Sequence, residues 1–231
     1  MAAIRGARER ARAEITAAIR DEARRRLAED GAAKLSLRAV ARELGMVSSA
    51  LYRYYPSRDD LLTALIVDAY DGVGAAAEAA LRAAPADPPA RWAAVCRAVR
   101  TWALAHPHEY ALIHGSPVPG YEAPETTLAP ASRVGLCLFG VVVDAHREGG
   151  LEDQGDAWPP GALADAARIG EQIGMDLPPA SGAAVIVAWA QLHGLVSFEV
   201  FGQFTGVVEA RDAFFDRAVA GLGRSVGLAA Y

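Results

Sequence analysis

The segment SLRAVARELGMVSSALYRYYPSR, from Ser36 to Arg58, constrains this chain more than any other. Leu37, Val40, Ala41 and Leu44 recur at helical intervals and give a short first helix one apolar face. Ala41 is small where two helices must approach closely. Gly45 follows where a helix end commonly takes the left-handed conformation that glycine adopts cheaply. Met46 and Val47 open a second apolar set, to which Leu51 returns. Ser48, Ser49, Ala50, Tyr52 and Arg53 are left for the outward face of a second short helix. Two short helices with this spacing make a helix-turn-helix, whose second helix presents side chains to a DNA major groove.

The flanking residues complete a small unit. Residues 12–30 read as one helix, with Ile15, Ile19, Ala23 and Leu27 every fourth residue and Gly31 as its stop. Ser36 is placed to cap the next helix. After the recognition segment Pro56 breaks the helix and Ser57 is placed to cap the following one. Asp59 and Asp60 suit that helix's positive end. Leu61, Leu62, Leu65, Ile66, Ala69 and Val73 mark a long amphipathic fourth helix over 58–82.

On these residues the segment from Ile15 to Leu65 resembles the N-terminal domain of tetracycline-repressor-like (TetR-like) transcriptional regulators. The matching positions are Ile15, Ala18, Leu27, Gly31, Leu37, Val40, Ala41, Leu44, Gly45, Ala50, Leu51, Tyr52, Tyr54, Tyr55, Arg58, Leu61 and Leu62, and ALYRYYPSRDDLL is close to the family's usual wording after its turn. WAQLHGLVSFEVFGQF is similar to a late helix in some family branches. The resemblance implies an all-α fold: an N-terminal three-helix helix-turn-helix domain joined by a long fourth helix to a helical ligand-binding and dimerisation domain. The division expected is 1–58 for DNA and 59–231 for effector and dimer. The expected DNA-binding set is Ser36, Leu37, Arg38, Ser48, Ser49, Ala50, Tyr52, Arg53, Tyr54 and Arg58. Tyr52, Tyr54 and Arg58 are carried over as phosphate contacts. Ser48, Ser49, Ala50 and Arg53 would lie near base edges, with Arg38 reaching in from the preceding helix. Tyr55 is the exception, since the family often buries an aromatic there. The competing reading is a solvated helix face with packing tyrosines.

Charge is distributed as a DNA-binding head requires. The net charge is −5, yet residues 1–60 carry 13 Lys/Arg against 9 Asp/Glu and the remainder 10 against 19. The basic surface is therefore local to the first unit. Arg5, Arg8, Arg10 and Arg12 form a basic arm that either touches phosphate or minor groove or solubilises a frayed terminus. No uncharged apolar run of about 18 residues suits a membrane span. No apolar stretch of signal type follows the first arginines. Cys96 and Cys137 stand alone, with no metal spacing. A cytoplasmic protein with no membrane partner is expected.

Beyond residue 82, helical runs are expected over 88–106, 108–115, 124–149, 161–174, 180–205 and 209–225. Proline-rich connections lie at 85–89, 114–124 and 152–161. The 180–205 run is apolar on more than one side. Val185, Trp189, Leu192 and Val196 form one stripe, with Ala188, Leu195, Phe198 and Phe201 around it. Phe214, Phe215, Ala218 and Leu222 mark the last helix. Buried on two faces, these helices are expected to form a homodimer, which the family builds from two helices of each subunit. A two-fold dimer sets two recognition helices about 34–36 Å apart to read a palindrome.

Trp92, Trp102, Tyr110, His114, Phe139, Trp189 and His193 are the candidate ligand-binding residues, with Gln191 and Phe198 beside them; each also suits ordinary core. The HPHE segment does not place two histidines on one helical face, and Pro107 reads better as a helix boundary. GLGRSVG at 221–227 follows no strand, so it is not a phosphate loop. No cofactor and no metal are expected, and nothing makes a nucleophile–base constellation. The expected function is a repressor released from a palindromic operator by a small apolar or aromatic effector. The alternative is a DNA-binding regulator or activator without an effector.

Overall fold

The computed structural model describes residues 2–152 and 158–228, with side chains from Gly6 onward. The Arg5 side chain and residues 153–157 of the expected connection lie outside the described residues. Among the described residues there are ten α-helices: α1 (Ala2–Asp30), α2 (Leu37–Glu43), α3 (Ser48–Leu51), α4 (Arg58–Ala83), α5 (Pro88–Ala105), α6 (Pro107–His114), α7 (Leu128–Arg147), α8 (Pro160–Ile173), α9 (Pro179–Val200) and α10 (Arg211–Ser225). Turns of 3-10 helix occupy Ala32–Lys34 and Glu125–Thr127. The β-structure described is an isolated bridge between Leu151 and Leu228. The chain forms two compact units, Met1–Tyr70 with His106–Leu128, and Asp71–Ala105 with Ala129–Tyr231.

In the first unit one apolar cluster holds α1 to α4. Ile19, Ala23 and Leu27 of α1 meet Leu37, Val40 and Ala41 of α2, Leu51 of α3, Tyr55, and Leu61, Leu62 and Leu65 of α4. Ile15 is exposed, so the buried stripe of α1 begins one turn later than its sequence suggests. Helix α1 begins earlier than residue 12, and its first turns carry exposed Arg8, Arg10 and Arg12.

The caps decide where these helices end. Gly45 has φ 63°. Its N–H donates to Arg42 O, and Met46 N–H donates to Ala41 O at 2.9 Å, closing α2 with paired bonds that need a left-handed residue between them. Ser36 has the extended backbone of a cap residue, but its hydroxyl makes no capping hydrogen bond. The expected Ser36 cap is therefore positional only. Ser57 does cap α4. Its hydroxyl accepts from Asp60 N–H at 3.1 Å, and the Asp60 carboxylate accepts from Ser57 N–H at 2.9 Å, a reciprocal arrangement.

The second unit packs α5, α7, α9 and α10. Val95, Cys96 and Val99 of α5, Val134, Leu138, Val141 and Val142 of α7, Ala188, Leu192 and Val196 of α9, and Phe215 and Val219 of α10 are buried. Glu199, itself buried, accepts from Arg100 Nε at 2.6 Å and Nη2 at 2.7 Å. The same guanidinium lies 5.0 Å from the Phe215 ring centroid, so α5, α9 and α10 share one ion-paired junction. Two stretches, Glu125–Arg147 and Pro179–Val200, have the length and composition to cross a membrane, with mean hydropathies of 1.6 and 1.5. Here much of their apolar surface is taken up by the buried residues of α7 and α9.

Two expectations need correction. The helix expected to reach residue 205 stops at Val200, because the chain turns at Phe201–Val207, where Gly202 adopts φ 79°. Trp189 does not share the buried stripe of α9. The fully buried stripe is Val185, Ala188, Leu192 and Val196, whereas Trp189, four residues after Val185 and three before Leu192, lies at the edge of that face and leaves its large indole exposed.

Replacing Ser57 by Ala removes one half of the α4 cap. Chemical unfolding should show a loss of about 1 kcal/mol, with helicity at low denaturant unchanged.

Candidate nucleic-acid interface

The recognition segment is a single turn of helix. Ala50 N–H donates to Val47 O, Tyr52 N–H to Ser48 O, and Tyr54 and Tyr55 N–H both to Leu51 O. Leu51 is fully buried and Tyr55 nearly so. The Tyr55 hydroxyl accepts from Arg20 Nε at 2.7 Å. Arg20 Nη1 reaches Asp68 at 2.8 Å, and Arg24 Nη2 reaches the other oxygen of Asp68 at 2.6 Å. Arg24 Nε also meets Glu109 of α6 at 3.3 Å. The back of the recognition turn is thus tied to α1, α4 and α6 within one unit.

The front is open. Ser49, Tyr52 and Arg53 are exposed, with Ser48 and Ala50 partly covered beside them. Arg38 and Arg42 of α2 are exposed, and among the described residues neither they nor Arg53 has an ion-pair partner. Tyr54 is partly buried, with the Arg12 guanidinium 5.3 Å from its ring centroid, so a side chain of the basic arm is brought to the recognition turn.

Two expected contacts, Leu37 and Arg58, sit differently, whereas Ser36 keeps an exposed place. Leu37 is part of the core cluster, which leaves its side chain no outward role. Ser36 is exposed at the entry to α2. Arg58 donates from Nη2 to Ala32 O at 3.0 Å and to Ala33 O at 3.4 Å. Its guanidinium therefore staples the 3-10 turn before α2, adding a donor to the Ala32 carbonyl, which also accepts from Leu35 N–H, and to that of Ala33. Val47, grouped by sequence with the second apolar set, is 69% exposed. Its apolar character disguised a surface position.

The candidate ligand residues divide between the two units. Tyr110 and His114 lie on α6 in the first unit, their rings 4.9 Å apart, with Tyr70 edge-on to His114 at 6.1 Å. Trp92, Trp102, Phe139, Trp189 and His193 lie in the second unit. Trp92 and Phe139 are buried in its core. A β-carbon at Gly72 would lie 2.9 Å from Trp102 Nε1, so the indole packs against bare α4 backbone. Trp189 and His193 meet edge to face at 5.7 Å. Among the described residues no group of His, Cys, Asp and Glu is arranged to hold a metal ion. His106 Nδ1 instead meets Glu109 at 2.9 Å across the first turn of α6, with Pro107 opening that helix.

Residues 19–65 match the family model described as bacterial regulatory proteins, tetR family, and residues 92–222 match that of the tetracyclin repressor-like C-terminal domain. The chain belongs to the TetR family of transcriptional regulators. It is 41% identical over 204 residues to the HTH-type transcriptional regulators Rv1816 of Mycobacterium tuberculosis and Mb1846 of Mycobacterium bovis, with 86% of each chain covered. The solved structure of the regulatory protein SCO4313 superposes with TM-score 0.74 at 34% identity, covering 93% of this chain and 97% of that one. The TetR-family regulator PfmR of Thermus thermophilus shares the fold at 19% identity, TM-score 0.57, covering 92% and 99%. TetR-family proteins are DNA-binding transcriptional regulators rather than enzymes.

Burial lowers the His114 pKa to about 4 from an ordinary 6.5. The unfolded chain therefore binds a proton in the window where the native imidazole stays neutral. The stability contributed by neutral His114 is complete above about pH 6.5 and is lost as pH falls toward 4, roughly 3 kcal/mol over the full window. Unfolding curves at pH 7 and pH 4.5 should show a smaller acid loss in His114→Phe than in the native protein. Equal losses would remove His114 as a source of acid sensitivity.

Proposed function

We propose that this TetR-family regulator is a cytoplasmic homodimeric repressor that holds a palindromic operator and leaves it when a small apolar or aromatic effector binds. In this reading residues 1–58 supply the DNA contacts and residues 59–231 the effector and dimer functions. The observation that carries it is the open front of α3, with Ser49, Tyr52 and Arg53 exposed and Leu51 and Tyr55 fixed behind. Arg53 would reach base edges, for which arginine is the best single donor to guanine. Tyr52 and Tyr54 would meet phosphates, and Arg38 the flank of the site. Arg58 acts from behind by holding the turn that precedes α2.

The dimer reading rests on the outward faces of α9 and α10. Val187, Trp189, Phe198, Phe201 and Phe214 are exposed. A groove of about 510 Å³ runs between the helices, lined by Gln191, Gly194, Leu195, Phe198, Phe204, Phe214, Ala218 and Leu222. Contiguous apolar surface of this kind marks an association site, and a two-fold dimer covers the same patch on both copies. For the effector, Trp92 offers a buried indole N–H without a hydrogen-bond partner among the described residues, a group that an acceptor on a ligand would satisfy. The effector acts by preferring a state whose recognition heads are misplaced.

Selection from a random duplex pool at fixed salt should enrich a palindrome. On that operator Arg53→Ala should lose about tenfold in affinity and Tyr52→Phe a few-fold, both variants remaining folded and dimeric. Unchanged binding in both removes the recognition-face assignment. Phe198→Asp combined with Phe214→Asp should sediment as a folded monomer and lose the operator. A dimer that survives both changes would place the interface elsewhere. Thermal stabilisation by one or more hydrophobic compounds in a broad panel supports an effector, whereas none supports a regulator without one.

A further inference from the structure

Val47 is an exposed β-branched side chain immediately before the recognition helix of a TetR-family regulator, and among the described residues most of it stays uncovered. It is 69% exposed. Its position is nonetheless fixed. Met46 N–H is held by Ala41 O on one side, and Val47 O accepts from Ala50 N–H at 2.9 Å on the other. The backbone is extended, at φ −70° and ψ 139°, before α3 begins, and a β-branched side chain has few χ1 rotamers to choose among. The result is an isopropyl group of restricted freedom at the entry to α3, where Ser49 is exposed and Ala50 partly covered. Arg38 and Arg42 of α2 and Arg53 after α3 are exposed on the same helix-turn-helix and suit phosphate or guanine.

The base edges of the major groove are polar with one exception, the 5-methyl group of thymine. An isopropyl group pressed against a carbonyl or amino edge would desolvate that edge without pairing it. Against a methyl it gains contact at no such cost. Resting on the family's DNA-binding role, we infer that Val47 is a specificity-determining residue that reads the 5-methyl group of one thymine in each half-site. Ser48 and Ser49 are too short to impose much hydrogen-bond specificity there, so this apolar contact is a principal discriminator at its base pair. A cytosine in that place offers no methyl and is rejected.

The test is a protein–DNA cycle on the selected operator. Each thymine of a half-site, with its symmetry mate, is replaced by deoxyuridine, which removes only the methyl. Affinities of the native protein and Val47→Ser are measured by anisotropy at one salt concentration. At one thymine the native protein should lose about fourfold per half-site, the size expected of one methyl removed from an apolar contact. Val47→Ser should bind the thymine and deoxyuridine duplexes alike at that position while still sensing every other contact. With cytosine there, 5-methylation should strengthen binding by the native protein and not by the variant. Equal thymine–deoxyuridine ratios in both proteins at every position would overturn the assignment, as would a selected half-site with no thymine. Val47→Ala serves as a second variant, and circular dichroism confirms that each is folded. A native protein that enriches no sequence at all would instead count against the DNA-reading role itself, and the assignment would fall with it.

Discussion

The recognition helix α3 is four residues long, far below the length at which backbone hydrogen bonds alone hold a helix in water. Its position is therefore set by what it packs against. Leu51 and Tyr55 provide that anchorage, one wholly apolar and the other ending in a hydroxyl that accepts from Arg20. Asp68 then draws Arg20 and Arg24 together. A half-buried aspartate with two guanidiniums costs desolvation, which its paired hydrogen bonds offset. What the arrangement adds is geometry: the tyrosine behind the recognition turn is referenced to α1 and α4 together.

The same logic separates the two sides of the helix-turn-helix. Residues behind it are committed to contacts within the protein, and Arg58 belongs with them because Ala32 and Ala33 present carbonyls to it. Residues in front have no such commitments. Arg38, Arg42 and Arg53 remain free of ion pairs among the described residues, although the chain as a whole is acidic. A protein of net negative charge meets DNA through cations kept locally unpaired, so that phosphate is their best available partner.

Much of this was legible from residue spacing. Apolar residues at helical intervals, a glycine where α2 must close, and a serine–aspartate pair at the start of α4 each have a local physical cause, and each is found in the structure. The end of α9 was less legible. Its apolar pattern continues past Val200, but Gly202 turns the chain, and hydrophobicity alone does not register a backbone reversal. Val47 failed for a related reason: an apolar residue next to the partly buried Met46 reads as core, although it is mostly exposed. The aromatics of the C-terminal part were the least legible, since a tryptophan looks the same in sequence whether it fills a core or lines a cavity.

The sequence by itself determined the helical class, the helix-turn-helix and the family, because these rest on periodicity, caps and turn residues that act over a few positions. Tertiary structure alone decided which arginines face outward and which hold the fold, where α6 belongs, and how the aromatics divide between the two units. Those outcomes depend on partners distant in the chain. Asp68 lies 48 residues from Arg20, and Glu199 lies 99 from Arg100. No local pattern encodes such a pairing, because the field that a charged side chain feels comes from whatever folding brings beside it.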